Sequence, residues 1–153
     1  MKTARAWFSA LLLACVLAPA FAAVSRVDDS GTIVSQPVIQ MRWRTPVPSR
    51  AGDNTVEAEL RVALRLNLAA WLNQPVRLYM LLPRDTGNAV RARWRTQGRL
   101  LAGTLTSGGR QLVYEGPVSS KILEESIDLS LETDGRTLVT PQTLQFYFEV
   151  ETR

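Results

Sequence analysis

Val56-Glu57-Ala58-Glu59-Leu60-Arg61-Val62-Ala63-Leu64-Arg65-Leu66-Asn67-Leu68 carries an apolar side chain at every even-numbered position, seven in a row. On an α-helix those seven would be spread around the whole circumference, because a helical face needs apolar residues three and four apart. On a strand they share one face. Ala, Leu, Glu and Arg each favour helices in isolation, but a period of two held this long outweighs that preference. The segment is expected to be a long strand with one buried face, its other face carrying Glu57, Glu59, Arg61, Ala63, Arg65 and Asn67.

The same period recurs on both sides. Upstream, Ile39, Met41 and Trp43 alternate with Gln40, Arg42 and Arg44, with Pro37 before them and Pro46 and Pro48 after. Flanking prolines point to a sheet edge, and Trp43 is expected to face inward. Downstream, Ala69-Ala70-Trp71-Leu72 reads as a helical turn or corner closed by Asn73-Gln74-Pro75. Val76, Leu78, Met80 and Leu82 alternate next, ended by Pro83, Asp85 and Gly87, and Val90, Ala92, Trp94 and Thr96 follow. Leu101, Gly103 and Leu105, the Gly108-Gly109 turn, then Leu112 and Tyr114 predict a hairpin with a primed turn. Ile127, Leu129 and Leu131 precede Asp134-Gly135, a hairpin-turn signal, and Leu144, Phe146, Phe148 and Val150 form the last strand. Seven or eight strands with Gly, Pro, Asn and Asp turns predict an all-β fold, a single antiparallel β-sandwich of immunoglobulin-like architecture. The Cys-Trp-Cys hallmark of immunoglobulin domains is missing.

The N-terminus reads differently. Lys2 and Arg5 precede an uncharged run containing Leu11-Leu12-Leu13, Val16 and Leu17, and Pro19 and Ala20-Phe21-Ala22 follow. The run is shorter than the roughly 20 residues a membrane-crossing helix needs and has the order of a secretory signal with a small-residue cleavage site. Residues 1–22 are therefore expected to be a signal peptide, 23–36 a flexible lead-in, and 37–153 the sandwich domain. The expected location is periplasmic or secreted. The minority alternative is a lipoprotein through Cys15, where Leu12-Leu13-Ala14-Cys15 only loosely matches a lipidation box.

Cys15 is the only cysteine, and there is no histidine. A processed chain would thus carry no disulfide. Without an imidazole, Ser-His-Asp and Cys-His nucleophiles cannot be built, and zinc sites lose their usual ligands. Carboxylate chemistry remains, with Asp85 or Glu115 as candidate acids. Ser119-Ser120-Lys121 reads as a solvated loop, since adjacent residues give a nucleophile and base the wrong geometry. No catalytic, cofactor or metal site is expected.

Beyond residue 22 stand 15 arginines and one lysine against 14 acids, so the formal charge there is +2. It is unevenly placed: residues 24–110 hold 13 cations and six acids, residues 111–153 three cations and eight acids. Arg91, Arg93 and Arg95 are successive outward residues of one expected strand, with Arg61, Arg65 and Arg77 on neighbouring ones. Together these six are the candidate anion- or partner-binding face, since the planar guanidinium grips carboxylate and phosphate with two hydrogen bonds. The competing expectation is that the basic strands pair with the acidic ones of the same molecule. Trp71, if exposed, adds an aromatic contact.

The expected function is a non-enzymatic binding or assembly module of the bacterial cell envelope. Its expected partner is another envelope protein, an anionic envelope polymer or a lipid head group. Nucleic acid is not expected, and neither is a transmembrane segment after residue 22. The alternatives are a structural subunit or accessory protein of a surface fibre or pilus joined by strand addition, and a carboxylate-based hydrolase.

Overall fold

The computed structural model describes residues 23–36, 38–46, 50–84, 89–138 and 145–152. The expectations placed on residues 1–22 (Cys15 among them), Pro37, Pro48, Asp85, Gly87, Leu144 and Arg153 lie outside the described residues.

The chain is all-β, with two antiparallel sheets around one core. In order, the strands are β1 (Val24–Arg26), β2 (Ile33–Val34), β3 (Arg42–Trp43), β4 (Thr55–Asn67), β5 (Pro75–Leu81), β6 (Arg91–Thr96), β7 (Gly103–Thr106), β8 (Arg110–Pro117), β9 (Ile122–Asp134) and β10 (Tyr147–Thr152). One turn of 3-10 helix, Ala69–Trp71, makes the corner between β4 and β5. One sheet has the order β1-β10-β5-β8, and the other has β2-β4-β9-β6-β7 with β3 also on β4.

The deciding strand is as its period requires. Val56, Ala58, Leu60, Val62, Leu64 and Leu66 of β4 are buried, as is Leu68 just beyond it, while Glu59, Arg61, Ala63, Arg65 and Asn67 are exposed. β9 pairs β4 over all thirteen residues, from Thr55 opposite Asp134 to Asn67 opposite Ile122. Leu123, Ile127, Leu129 and Leu131 thereby join the same inward face. Val76, Leu78, Met80, Phe148 and Val150 meet them from the second sheet. Each such side chain contributes about 1.5–3 kcal/mol when fully buried.

Four expectations differ from the structure. Residues 23–36 are not merely a lead-in: β1 pairs with β10, β2 pairs with β4, and Val27 is fully buried. The polar composition there suits an edge, where only one side chain in several must enter the core. Trp43 does not face inward but is 43% exposed, because β3 is two residues long and only Ile39 and Met41 reach the core. The Gly108-Gly109 turn forms, with Gly109 N–H donating to Thr106 O at 2.8 Å, yet it opens no paired hairpin. β7 pairs with β6 and β8 with β5, so the chain changes sheets there. Positive φ at Gly108 alone (+80°) marks a type II turn and not a primed one. A register shift opposite Leu78 and Tyr79 buries Val113, leaving Leu112 and Tyr114 half-buried. Finally, Asp134-Gly135 turns the chain, with Thr137 N–H on Asp134 O at 3.2 Å, but β10 lies in the opposite sheet from β9.

Candidate functional site

The outer face of the five-strand path β2-β4-β9-β6-β7 is a grid, because directly opposed residues share a face. One row reads Arg61, Asp128, Arg95 across β4, β9 and β6. The next reads Glu59, Ser130, Arg93, Thr104, ending on β7. The third reads Arg42, Glu57, Glu132, Arg91, Thr106, beginning on β3.

The cations of this grid are in two conditions. On the β4 side Arg42 forms no ion pair among the described residues, but the others are engaged. Arg61 Nε donates to Asp128 Oδ1 at 2.8 Å, Arg65 pairs with Glu124, and Arg44 holds Glu57 at 3.0 Å and Glu132 at 2.8 Å. The hydrogen bond to Asp128, and then its charge, hold Arg61 above the ordinary guanidinium range. Arg91, Arg93 and Arg95 are exposed and form no ion pair among the described residues. Their register partners explain why. Asp128 and Glu132 are turned toward Arg61 and Arg44 on the far side of β9, and Arg93 lies between two hydroxyl residues, Ser130 and Thr104.

The six candidate arginines therefore do not assemble into one site. Arg77 lies on the other sheet, where it meets Glu115 at 2.9 Å and Glu151 at 4.0 Å. Beside it Arg110 reaches Glu151 at 3.0 Å and covers the Tyr79 ring at 3.4 Å from its centroid. That face neutralises itself, Arg77 of β5 and Arg110 of β8 being met by Glu115 of β8 and Glu149 and Glu151 of β10. Arg61 and Arg65 share the face of β6 but are paired. What remains is the β6 column of Arg91, Arg93 and Arg95, about 7 Å apart along the strand.

Trp71 is half-buried against the core and offers little free ring surface. Among the described residues the exposed aromatic is Trp43, whose ring lies close over Gly135, where a Cβ would come within 2.5 Å of it. Nothing in the local pattern signals this exposure, since Trp43 falls in phase with Ile39 and Met41. Thr104 and Ser130 were also missed as neighbours of the column, because only the register reveals them. Of the candidate acids, Glu115 is held by Arg77. Ser119 accepts from Arg99 at 3.2 Å and Ser120 donates to Ile122 O at 2.9 Å, so neither serine is directed at Lys121. Among the described residues no group of three or more His, Cys, Asp or Glu is placed to hold a metal, and no helix is long and apolar enough to cross a membrane.

Compared with family models, curated proteins and solved structures, the chain matches none.

Proposed function

We propose that the chain is an exported, non-enzymatic β-sandwich that serves as a binding or assembly module of the bacterial cell envelope, periplasmic or secreted. The observation that carries this reading is the β6 column: three exposed arginines in line, with no ion pair among the described residues, whereas Arg61 and Arg65 of β4 and Arg77 of β5 are each paired with an acid. The order of charge, apolar run and small residues over 1–22 supports export. Repeated crossings between two antiparallel sheets support an immunoglobulin-like architecture, with β3–β4 and β6–β7 the sequential strands that pair directly among the described residues.

The partner is anionic, because several guanidiniums in line attract charge cooperatively and chiefly from the outside. Retention of the protein on an anionic matrix across a salt series tests this. Wild type should elute later than the combined Arg91→Gln, Arg93→Gln, Arg95→Gln variant, and the difference should shrink with salt, since exposed charges are screened over about 8 Å at physiological ionic strength. Co-elution at every salt concentration would remove the basis of the reading.

A further inference from the structure

The cationic column stands one strand in from an open edge. β7 is the last strand of its sheet among the described residues, and none of them forms a strand along its outer backbone edge. The register shows which groups face it. Ser107 N–H donates to Val90 O at 3.0 Å, so residues 103, 105 and 107 turn their backbone groups toward β6. Residues 104 and 106 turn theirs away. Of these, Thr106 O is taken by Gly109, whereas the Thr104 amide and carbonyl and the Thr106 amide have no partner among the described residues. The side chains on the outer face of this edge are Thr104 and Thr106, short and uncharged, and directly behind them stand Arg93 and Arg91.

We propose, building on the binding-module reading above, that β7 receives an extended acidic polypeptide segment as an added strand, with carboxylates at alternate positions engaging the β6 arginines. Three observations select this partner. A strand with an acid at every second residue repeats its charges about every 7 Å, the spacing of Arg91, Arg93 and Arg95. The molecule already solves the same problem this way: arginines of one strand are met by acids of its neighbour, Arg61 and Arg65 of β4 by Asp128 and Glu124 of acidic β9, and Arg77 of β5 by Glu115 of β8. An anionic membrane laid over the whole face would also meet Glu57, Glu59, Glu124, Asp128 and Glu132, whereas a strand beside β7 meets only hydroxyls and guanidiniums. Side chains of the added strand lie about 10 Å from β6, two strand spacings away, across threonines too short to obstruct an arginine. Main-chain hydrogen bonds supply affinity in this mode and the alternate side chains supply selectivity.

The probes are two fluorescein-labelled peptides of identical composition, one alternating Glu and Thr and one with all Glu residues contiguous. Anionic vesicles and a uronate polymer serve as competitors of other chemistry. Binding is read by fluorescence anisotropy at physiological salt. The alternating peptide should bind roughly tenfold tighter than the contiguous one, and the triple arginine-to-glutamine variant should lose at least about that factor. Thr104→Pro removes an outward amide while leaving the β6 side of β7 intact, which edges tolerate. It should weaken the alternating peptide without altering retention on the anionic matrix. A copy of the peptide N-methylated at alternate residues should bind as poorly to wild type. Equal affinity for the two peptides would overturn strand addition. Arginine-dependent binding of vesicles or polymer, but of no peptide, would overturn this proposal and leave the binding-module reading standing. No arginine-dependent binding of any probe would overturn both.

Discussion

Gly103→Ala adds a single methyl group and should unsettle the core. Gly103 lies directly opposite Trp94 in the β6–β7 pair, and a Cβ there would sit 2.6 Å from Cζ2 and 2.9 Å from Cη2 of the indole, and 3.3 Å from Gln111 Cγ. Real Cβ atoms do not approach rings below 3.0 Å, so the indole or β7 must move by the better part of an ångström. Trp94 has little room to do so. It is 1% exposed, and its Nε1–H donates to Leu101 O at 2.8 Å, tying the ring to the segment that leads into β7. Overpacking of this kind costs about 1–3 kcal/mol, and loosening the indole hydrogen bond adds about 0.5–1.5 kcal/mol. Replacing a strand glycine returns roughly 0.5–1 kcal/mol. The net expectation is a loss of about 1–3 kcal/mol, read as a fall in Tm of very roughly 3–10 °C for a domain of this size. Calorimetry or thermal circular dichroism measures it. The double variant Gly103→Ala, Trp94→Phe should show a smaller effect of the methyl than the same change beside Trp94. A Gly103→Ala protein melting with wild type would refute the close approach of ring and backbone.

Leu64→Asp should prevent folding, because it buries an unpaired charge on the core face of β4, whereas Arg65→Asp, one residue on and exposed, should cost no more than about 1 kcal/mol through loss of its pair with Glu124; similar melting curves would show the period of β4 to be misread. Hydrogen bonds from the Arg136 side chain and backbone amide hold the Asp134 carboxyl at about 2, below its ordinary 3.8, so its contribution to stability is present above the unfolded value and fades as pH falls through the folded one; an NMR titration of the Arg136→Gln variant should find the midpoint moved up toward 3.8, and an unchanged midpoint would break the assignment. Expressed in a bacterial host, the protein should yield an exported product whose intact mass begins at Ala23; a lipidated product beginning at Cys15 would refute processing after Ala22.

The long strands were legible because each carries its own evidence. Seven alternating apolar residues fix both the existence and the inward face of β4, and the same holds in shorter form for β5, β6 and β10. Which strands pair was not legible. Gly108-Gly109 and Asp134-Gly135 advertise turns truthfully, but a turn residue reports local φ and ψ and not the sheet that the next strand joins. The N-terminal edge strands escaped for a related reason. Val24–Arg26 is held by β10, more than a hundred residues away in sequence, and not by any pattern of its own. The arginine column was visible as a column, since outward alternation is local. Its lack of carboxylate partners was not, because that depends on Asp128 and Glu132 being claimed from the other side of β9.

That distant pairing has a temporal side. Ala23 O accepts the Thr152 amide at 3.1 Å, and Val24, Ser25 and Arg26 lie opposite Glu151, Val150 and Glu149. In a chain that emerges N-terminus first, these residues therefore appear well before the strand that accepts them. Contacts so far apart in sequence form slowly. Until they form, the edge of β10 that β1 covers is open and the site of Val27 is unfilled. The interval between those two events is when this protein is most exposed to pairing with the wrong strand.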